Sequence, residues 1–170
     1  MYRLIVDGSY ANGKTGIGIV ESFSDKSFCT KGAEILRHIP IKEEYLSLAS
    51  EYLAAYEAIK AKPKGCNIKL YTDNESVSTF INTCEKNHRL HRSPDIGPMM
   101  IALQEVCNER FVTASHKRDD SSHDIPHIYF SIAHNASAWA TGSLKLSSTF
   151  GYSGTFSRDH LRKLRNLTHP

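Results

Sequence analysis

The chain has 170 residues, 40% hydrophobic and 23% charged, with a net charge of +3. That length suits one domain and can bury a core without a disulfide or metal staple. No apolar run reaches the ~20 residues of a membrane-spanning helix, and a pI of about 8.6 permits a phosphate-bearing partner without demanding one.

Met1 to Val6 runs straight into Asp7, too short and too soon polar for a signal peptide. The cysteines at 29, 66, 84 and 107 lack zinc-knuckle spacing and read as reduced, mostly core residues. Both observations predict a cytoplasmic location.

Tyr2 to Val6 predicts a short buried strand, and Gly8 to Lys14 a turn-rich break. Thr15 to Phe23 and Ser27 to Ile35 predict two more strands, so the chain opens as an antiparallel meander. The period then changes. Leu46, Ala49, Tyr52, Leu53, Tyr56 and Ile59 give helical spacing over 43–62, ended by Lys62-Pro63-Lys64-Gly65. Asn67 to Thr72 predicts a strand and Asn74 to Cys84 a short helix. Lys86 to Arg92 is a basic run. Ser93-Pro94-Asp95 starts another helix, and Phe111 to Ala114 is a last short strand. His116 to His123 reads as a polar loop. Asp124 opens a helix with Pro126 in its first turn, where proline is tolerated. After Gly142 the pattern fades into a loop over 147–154 and a short basic helix over 158–167. The organisation is one domain over 1–142 and a C-terminal extension over 143–170, and the element order implies one mixed sheet flanked by helices.

Three acids stand out by context. Asp7 and Asp73 each follow a buried-type strand, where side chains point into the crevice at the end of an α/β sheet. Glu51 shares a helical stripe with Leu48 and Ala55, so it faces the sheet. Burying that carboxylate costs several kcal/mol without a partner, and a metal ion is a fitting one. Taken singly, an Asp after a strand is more often a turn residue or helix cap, and a Glu in a helix is usually solvated.

In order and with their neighbours the three say more. Val6-Asp7-Gly8-Ser9 on the first strand, Ala49-Ser50-Glu51-Tyr52-Leu53-Ala54-Ala55 on the first helix and Tyr71-Thr72-Asp73-Asn74 after the fourth strand resemble the type 1 ribonuclease H family, over roughly residues 2 to 140. The resemblance implies an RNase H-like α/β fold: a five-stranded mixed sheet, three antiparallel strands then parallel ones, flanked by helices. It also implies a fourth acid near the start of the last helix, and two placements compete. Asp124 opens that helix and needs no insertion; its bland reading is an N-cap. Aligning His134-Asn135-Ala136-Ser137-Ala138-Trp139 with the family's Asn-x-x-x-Asp instead puts Trp139 in the acid's place, at the cost of a long structureless loop. Asp124 is the favoured placement.

By that resemblance, Asp7 bridges two Mg²⁺ ions (Mn²⁺ can substitute), with Glu51 and Asp73 on one and Asp124 on the other. His116 is the loop residue that assists proton transfer or product release. The substrate is the RNA strand of an RNA–DNA hybrid, cut internally, with Gly8, Ser9, Asn12, Ser47, Thr72 and Asn74 as the polar rim that reads the 2′-hydroxyl. Lys86 to Arg92 and Arg158, Arg162, Lys163 and Arg165 are candidate phosphate contacts; solvated surface charge is the bland reading of both and the favoured one for the second. The alternatives are a catalytically weak or inactive nucleic-acid-binding module on the same fold, or a nuclease of the wider superfamily with another substrate.

Overall fold

Alternate residues of a strand face opposite sides of its sheet. In β1 (Tyr2–Ala11) this sends Leu4 and Val6 into one apolar cluster and Ile5 into another on the opposite face, with Asp7 on the Ile5 side. The computed structural model describes residues 1–22, 28–34, 42–83, 92–117, 125, 127–143 and 153–156, with the backbone alone for 28–34, 127 and 153–156.

β1 turns through Asn12 and Gly13, both at positive φ (54° and 70°), into β2 (Lys14–Ser22). Two such residues close a tight hairpin whose twist matches the strands. β3 (Phe28–Glu34) continues antiparallel along β2. Then follow α1 (Glu43–Lys60), β4 (Asn67–Thr72), α2 (Glu75–Thr83), α3 (Gly97–Asn108), β5 (Phe111–His116), α4 (His127–Ala140) and β6 (Ser153–Phe156). β4 runs parallel to β1, and β5 parallel to β4. The strand order is β5-β4-β1-β2-β3-β6. The five-stranded mixed sheet is present, with β6 added antiparallel to β3 at its edge.

Two layers of helix cover the sheet. On the Leu4 face, Tyr52, Leu53 and Ile59 of α1 pack with Phe80 of α2 and with Met100 and Leu103 of α3. On the Ile5 face, α4 brings Tyr129, Phe130, Ile132 and Ala133 against Val20 and Tyr71. The larger apolar side chains among these, such as Leu53, Ile59, Leu103 and Phe130, each contribute about 1.5–3 kcal/mol by leaving water. At the end where β4 and β5 begin, Arg110 is buried and its five N–H donors meet the carbonyls of Lys60, Lys62 and Val106 and the Glu109 carboxylate. It thereby satisfies carbonyls at and just beyond the C-terminus of α1, groups a helix leaves without internal partners.

The elements differ from expectation at four places. β1 does not stop at Val6: Gly8 to Ala11 pair with β2 rather than forming a loop. The strand read as ending at Ala114 continues through His116, because Tyr71 and Thr72 of β4 pair with Ser115 and His116. The last helix starts at His127, beyond the Asp124 start expected; Asp124 and Pro126 lie outside the described residues. Ser153 and Gly154, read as loop, begin β6, whose pairing covers part of the open edge of β3. The basic run over 86–91 and the helix expected over 158–167 also lie outside the described residues. No helix among the described residues is long and apolar enough to cross a membrane. Cys66 and Cys107 are in no disulfide, the first half-buried and the second buried.

Candidate metal centre

The centre forms where two parallel strands separate. β1 and β4 pair from Tyr2↔Ile68 to Val6↔Thr72. β4 then ends, while β1 continues along β2. Asp7 and Asp73, the next residues of the two strands, flank the opening.

Glu51 arrives from α1 because that helix crosses β1 at Gly8. A Cβ at Gly8 would collide with the backbone of Ser50 and Glu51, so only glycine permits this approach. The closeness lets the Gly8 N–H donate to Glu51 Oε2 at 3.0 Å. One carboxylate oxygen from each of Asp7, Glu51 and Asp73 then lies within 4.8 Å of the others. Asp7 is 5% exposed, Glu51 half-buried and Asp73 exposed.

The electrostatics follow from that packing. Burial, with Asp7 and then Asp73 adding repulsion, pushes the Glu51 carboxyl up to about 9 against the pull of the Gly8 N–H. Asp73 is also raised, by burial first and Asp7 second, while Lys117 and His134 pull it back. Oxygen donors crowded at this spacing, with one carboxyl unable to ionise at its usual pH, form a donor set that a divalent cation relieves.

The opposite wall is α4, which also packs closely on the sheet. Asp7 is the register partner of Gly18, and a Cβ at Gly18 or Gly16 would strike the α4 backbone at Ala133 or Ser137. Two side chains of α4 therefore meet Asp7 Oδ2. The Ser137 hydroxyl donates to it, with the His134 carbonyl as a second acceptor 2.8 Å away. His134 Nδ1 lies 3.5 Å from the same oxygen. The hydrogen bond to Asp7 raises the pKa of the imidazole, against the opposing effect of burial.

No family model matches the sequence, and none of the curated proteins matches it. Solved structures do. The RNase H1 of the halophilic archaeon Halobacterium salinarum is 16% identical with a TM-score of 0.62, over 84% of this chain and 98% of that one. The LC11 RNase H1 isolated from compost is 15% identical with a TM-score of 0.59, over 83% and 95%. The N-terminal RNase H domain of a Mycobacterium tuberculosis protein is 14% identical with a TM-score of 0.57, over 82% and 98%. This chain has the RNase H-like fold. Identities this low establish fold alone, so its chemistry is argued from its own residues.

Within this RNase H-like chain, Asp7, Glu51 and Asp73 come together as the sequence predicts. Asp124 lies outside the described residues. Trp139, the competing occupant of the fourth position, does not face the cluster. It stands two residues from Ser137, about 200° around the helix, and is 39% exposed. His116 is not on a loop: it ends β5, is buried, and its Nε2–H donates to the Asp73 carbonyl at 2.9 Å. There it holds the backbone that carries Asp73.

The six expected rim residues divide. Gly8 and Thr72 are buried; the Gly8 N–H is given to Glu51, and the Thr72 hydroxyl accepts the Asn74 N–H. Neither presents a polar group at a rim. Asn12, at the hairpin tip roughly 16 Å along β1 from Asp7, donates to the Thr141 carbonyl. Asn74 accepts the Val77 N–H at the start of α2 and remains half-buried. Ser47 is exposed one helical turn before Glu51, and Ser9 is half-buried with its hydroxyl unpartnered.

Sequence reasoning did not assign roles to His134, Ser137 or Lys117. The available signal was the Gly16-x-Gly18 pair in an otherwise apolar strand, which marks a close backbone approach.

Proposed function

We propose that this chain is a metal-dependent nuclease that hydrolyses the RNA strand of RNA–DNA hybrids. The observation that carries the reading is the convergence of Asp7, Glu51 and Asp73, with oxygens within 4.8 Å of one another, at the opening between β1 and β4. Divalent ions held there would supply an activated water and a Lewis acid for the leaving oxygen. Asp7 is suited to bridging, since it lies between the other two acids and α4 and has two oxygens to offer. Glu51 is oriented by the Gly8 N–H, and Asp73 is steadied through its backbone by His116. Hard oxygen donors favour Mg²⁺, with Mn²⁺ as a substitute.

Ser47, exposed one turn before Glu51, and Asn74, half-buried just after Asp73, offer short polar side chains suited to reading a 2′-hydroxyl. Lys117 follows β5 directly, with its N–H given to the Thr72 carbonyl, and its charge acts on both Asp73 and His134. A cation so close to the acids is suited to a phosphate of the scissile strand.

The test is cleavage of an end-labelled RNA–DNA hybrid in Mg²⁺ or Mn²⁺, beside DNA and RNA duplexes. Internal cuts confined to the RNA of the hybrid are expected, and Asp7→Asn abolishes them. Undiminished cleavage by Asp7→Asn would remove the site, and wild-type activity on a DNA duplex alone would replace the substrate.

A further inference from the structure

The residue that α4 turns toward Asp7 in company with Ser137 is a histidine. His134 Nδ1 is 3.5 Å from Asp7 Oδ2, and the imidazole is 64% exposed, so it reaches the centre from the open side. In an octahedral site with bonds of about 2.1 Å, adjacent donors stand about 3 Å apart. The His134–Asp7 separation is therefore close to that of two ligands on one ion. Glu51 approaches the centre from α1, the helix that crosses β1 at Gly8.

We propose that His134 is a nitrogen ligand in this centre, sharing with Asp7 a second ion beside the one held by Glu51 and Asp73. This rests on the metal-dependent reading of the three acids given above. The consequence is selectivity. Imidazole suits iron and the later transition ions best; Mn²⁺, the weakest of that series, still accepts it more readily than Mg²⁺, which keeps to carboxylate, carbonyl and water. A site built from one carboxylate and one imidazole therefore favours Mn²⁺ over Mg²⁺ more strongly than a site built from carboxylates alone.

The position is set by packing rather than by chance exposure. Gly16 and Gly18 let the α4 backbone settle onto β2, and the Ser137 hydroxyl ties the helix to the same Asp7 oxygen. No rearrangement of the helix is needed to bring the imidazole to an ion bound at Asp7. The alternative role is an ion pair: a protonated His134 that neutralises Asp7 and leaves when a cation binds.

Pulsed electron paramagnetic resonance of bound Mn²⁺ separates the two, because a coordinated imidazole gives a ¹⁴N modulation that water and carboxylate do not. The full chain loaded with Mn²⁺ is expected to show that modulation. His134→Asp is expected to lose it while still binding Mn²⁺, and to bind Mg²⁺ roughly tenfold more tightly in a calorimetric titration. Because His134 is well exposed, neither His134→Asp nor His134→Ala should disturb folding, which circular dichroism checks. Mn²⁺ bound without nitrogen modulation in the wild type would overturn the role of His134 and leave the three-acid site standing. Failure of the wild type to bind Mn²⁺ at all would overturn both.

Discussion

Two groups of charge lie at opposite ends of β4, and they are treated in opposite ways. Arg110, where β4 and β5 begin, spends all five N–H donors on carbonyls and one carboxylate. Asp7, Glu51 and Asp73, where β4 ends, face one another with the same sign of charge. The first arrangement is complete within the chain. The second is offset in part by Lys117, His134 and Ser137, and the remainder is resolved by protonation or by a cation from outside. The contrast separates residues that hold the fold from residues held by the fold for chemistry, and substitutions at the two ends should behave oppositely.

The largest effect is expected at Asp7. Asp7→Asn removes the bridging carboxylate and several kcal/mol of transition-state stabilisation, so hybrid cleavage should fall by on the order of 10³-fold or more. The same change relieves repulsion on Glu51, so the metal-free protein should melt at a higher temperature than wild type. Arg110→Ala should do the reverse. It strands the carbonyls of Lys60 and Lys62 and should cost about 3 kcal/mol in denaturant unfolding. The specific activity of the fraction that remains folded should be unchanged. If Arg110→Ala cut activity without affecting stability, the two ends would not be distinct.

Gly8→Ala should combine both effects at smaller size. Its methyl group would meet the backbone of Ser50 and Glu51, so α1 must shift, at about 1–3 kcal/mol, and the Gly8–Glu51 hydrogen bond lengthens. Stability and metal affinity should fall together, measured by unfolding and by calorimetry on one sample.

The comparison also implies a pH dependence. The Glu51 carboxyl in the fold holds its proton up to about 9, against 4.5 ordinarily. Between those values the folded, metal-free protein binds more protons than the unfolded chain, so stability falls as pH rises through that window. The raised Asp73 and His134 act in the same direction. The melting temperature without metal should therefore be lower at pH 8 than at pH 5. Added Mg²⁺ should raise it more at pH 8, where fewer protons compete for the ligands. Equal Mg²⁺ effects at the two values would argue against Glu51 as a ligand.

The sheet and three acids were legible because they depend on local pattern. β4 and α1 announce themselves by periodicity, and Asp73 follows β4 directly. The length of β1 was not, because Gly8, Ser9 and Asn12 read as turn residues. In fact Gly8 is where a helix passes and Asn12-Gly13 is the whole turn. β6 escaped notice because a four-residue edge strand owes its state to its partner, β3, more than to its own composition. His116 read as loop for a similar reason: its strand character comes from pairing with Thr72.

The facing of α4 was the hardest to foresee. Whether His134, Ser137 or Trp139 meets Asp7 depends on how the helix is rotated over β2, a contact across some 130 residues fixed by the bare surface at Gly16 and Gly18. In the sequence, helix starts and loop lengths favour Asp124 over Trp139. Neither criterion carries information about rotation.

The central claim, that three carboxylates form a metal centre, is tested most directly by titrating Mn²⁺ into the metal-free protein in a calorimeter, with Asp7→Asn alongside. Saturable binding by wild type that is lost or weakened by at least roughly tenfold in Asp7→Asn is the predicted result. Binding of equal affinity and stoichiometry by the two proteins would contradict it.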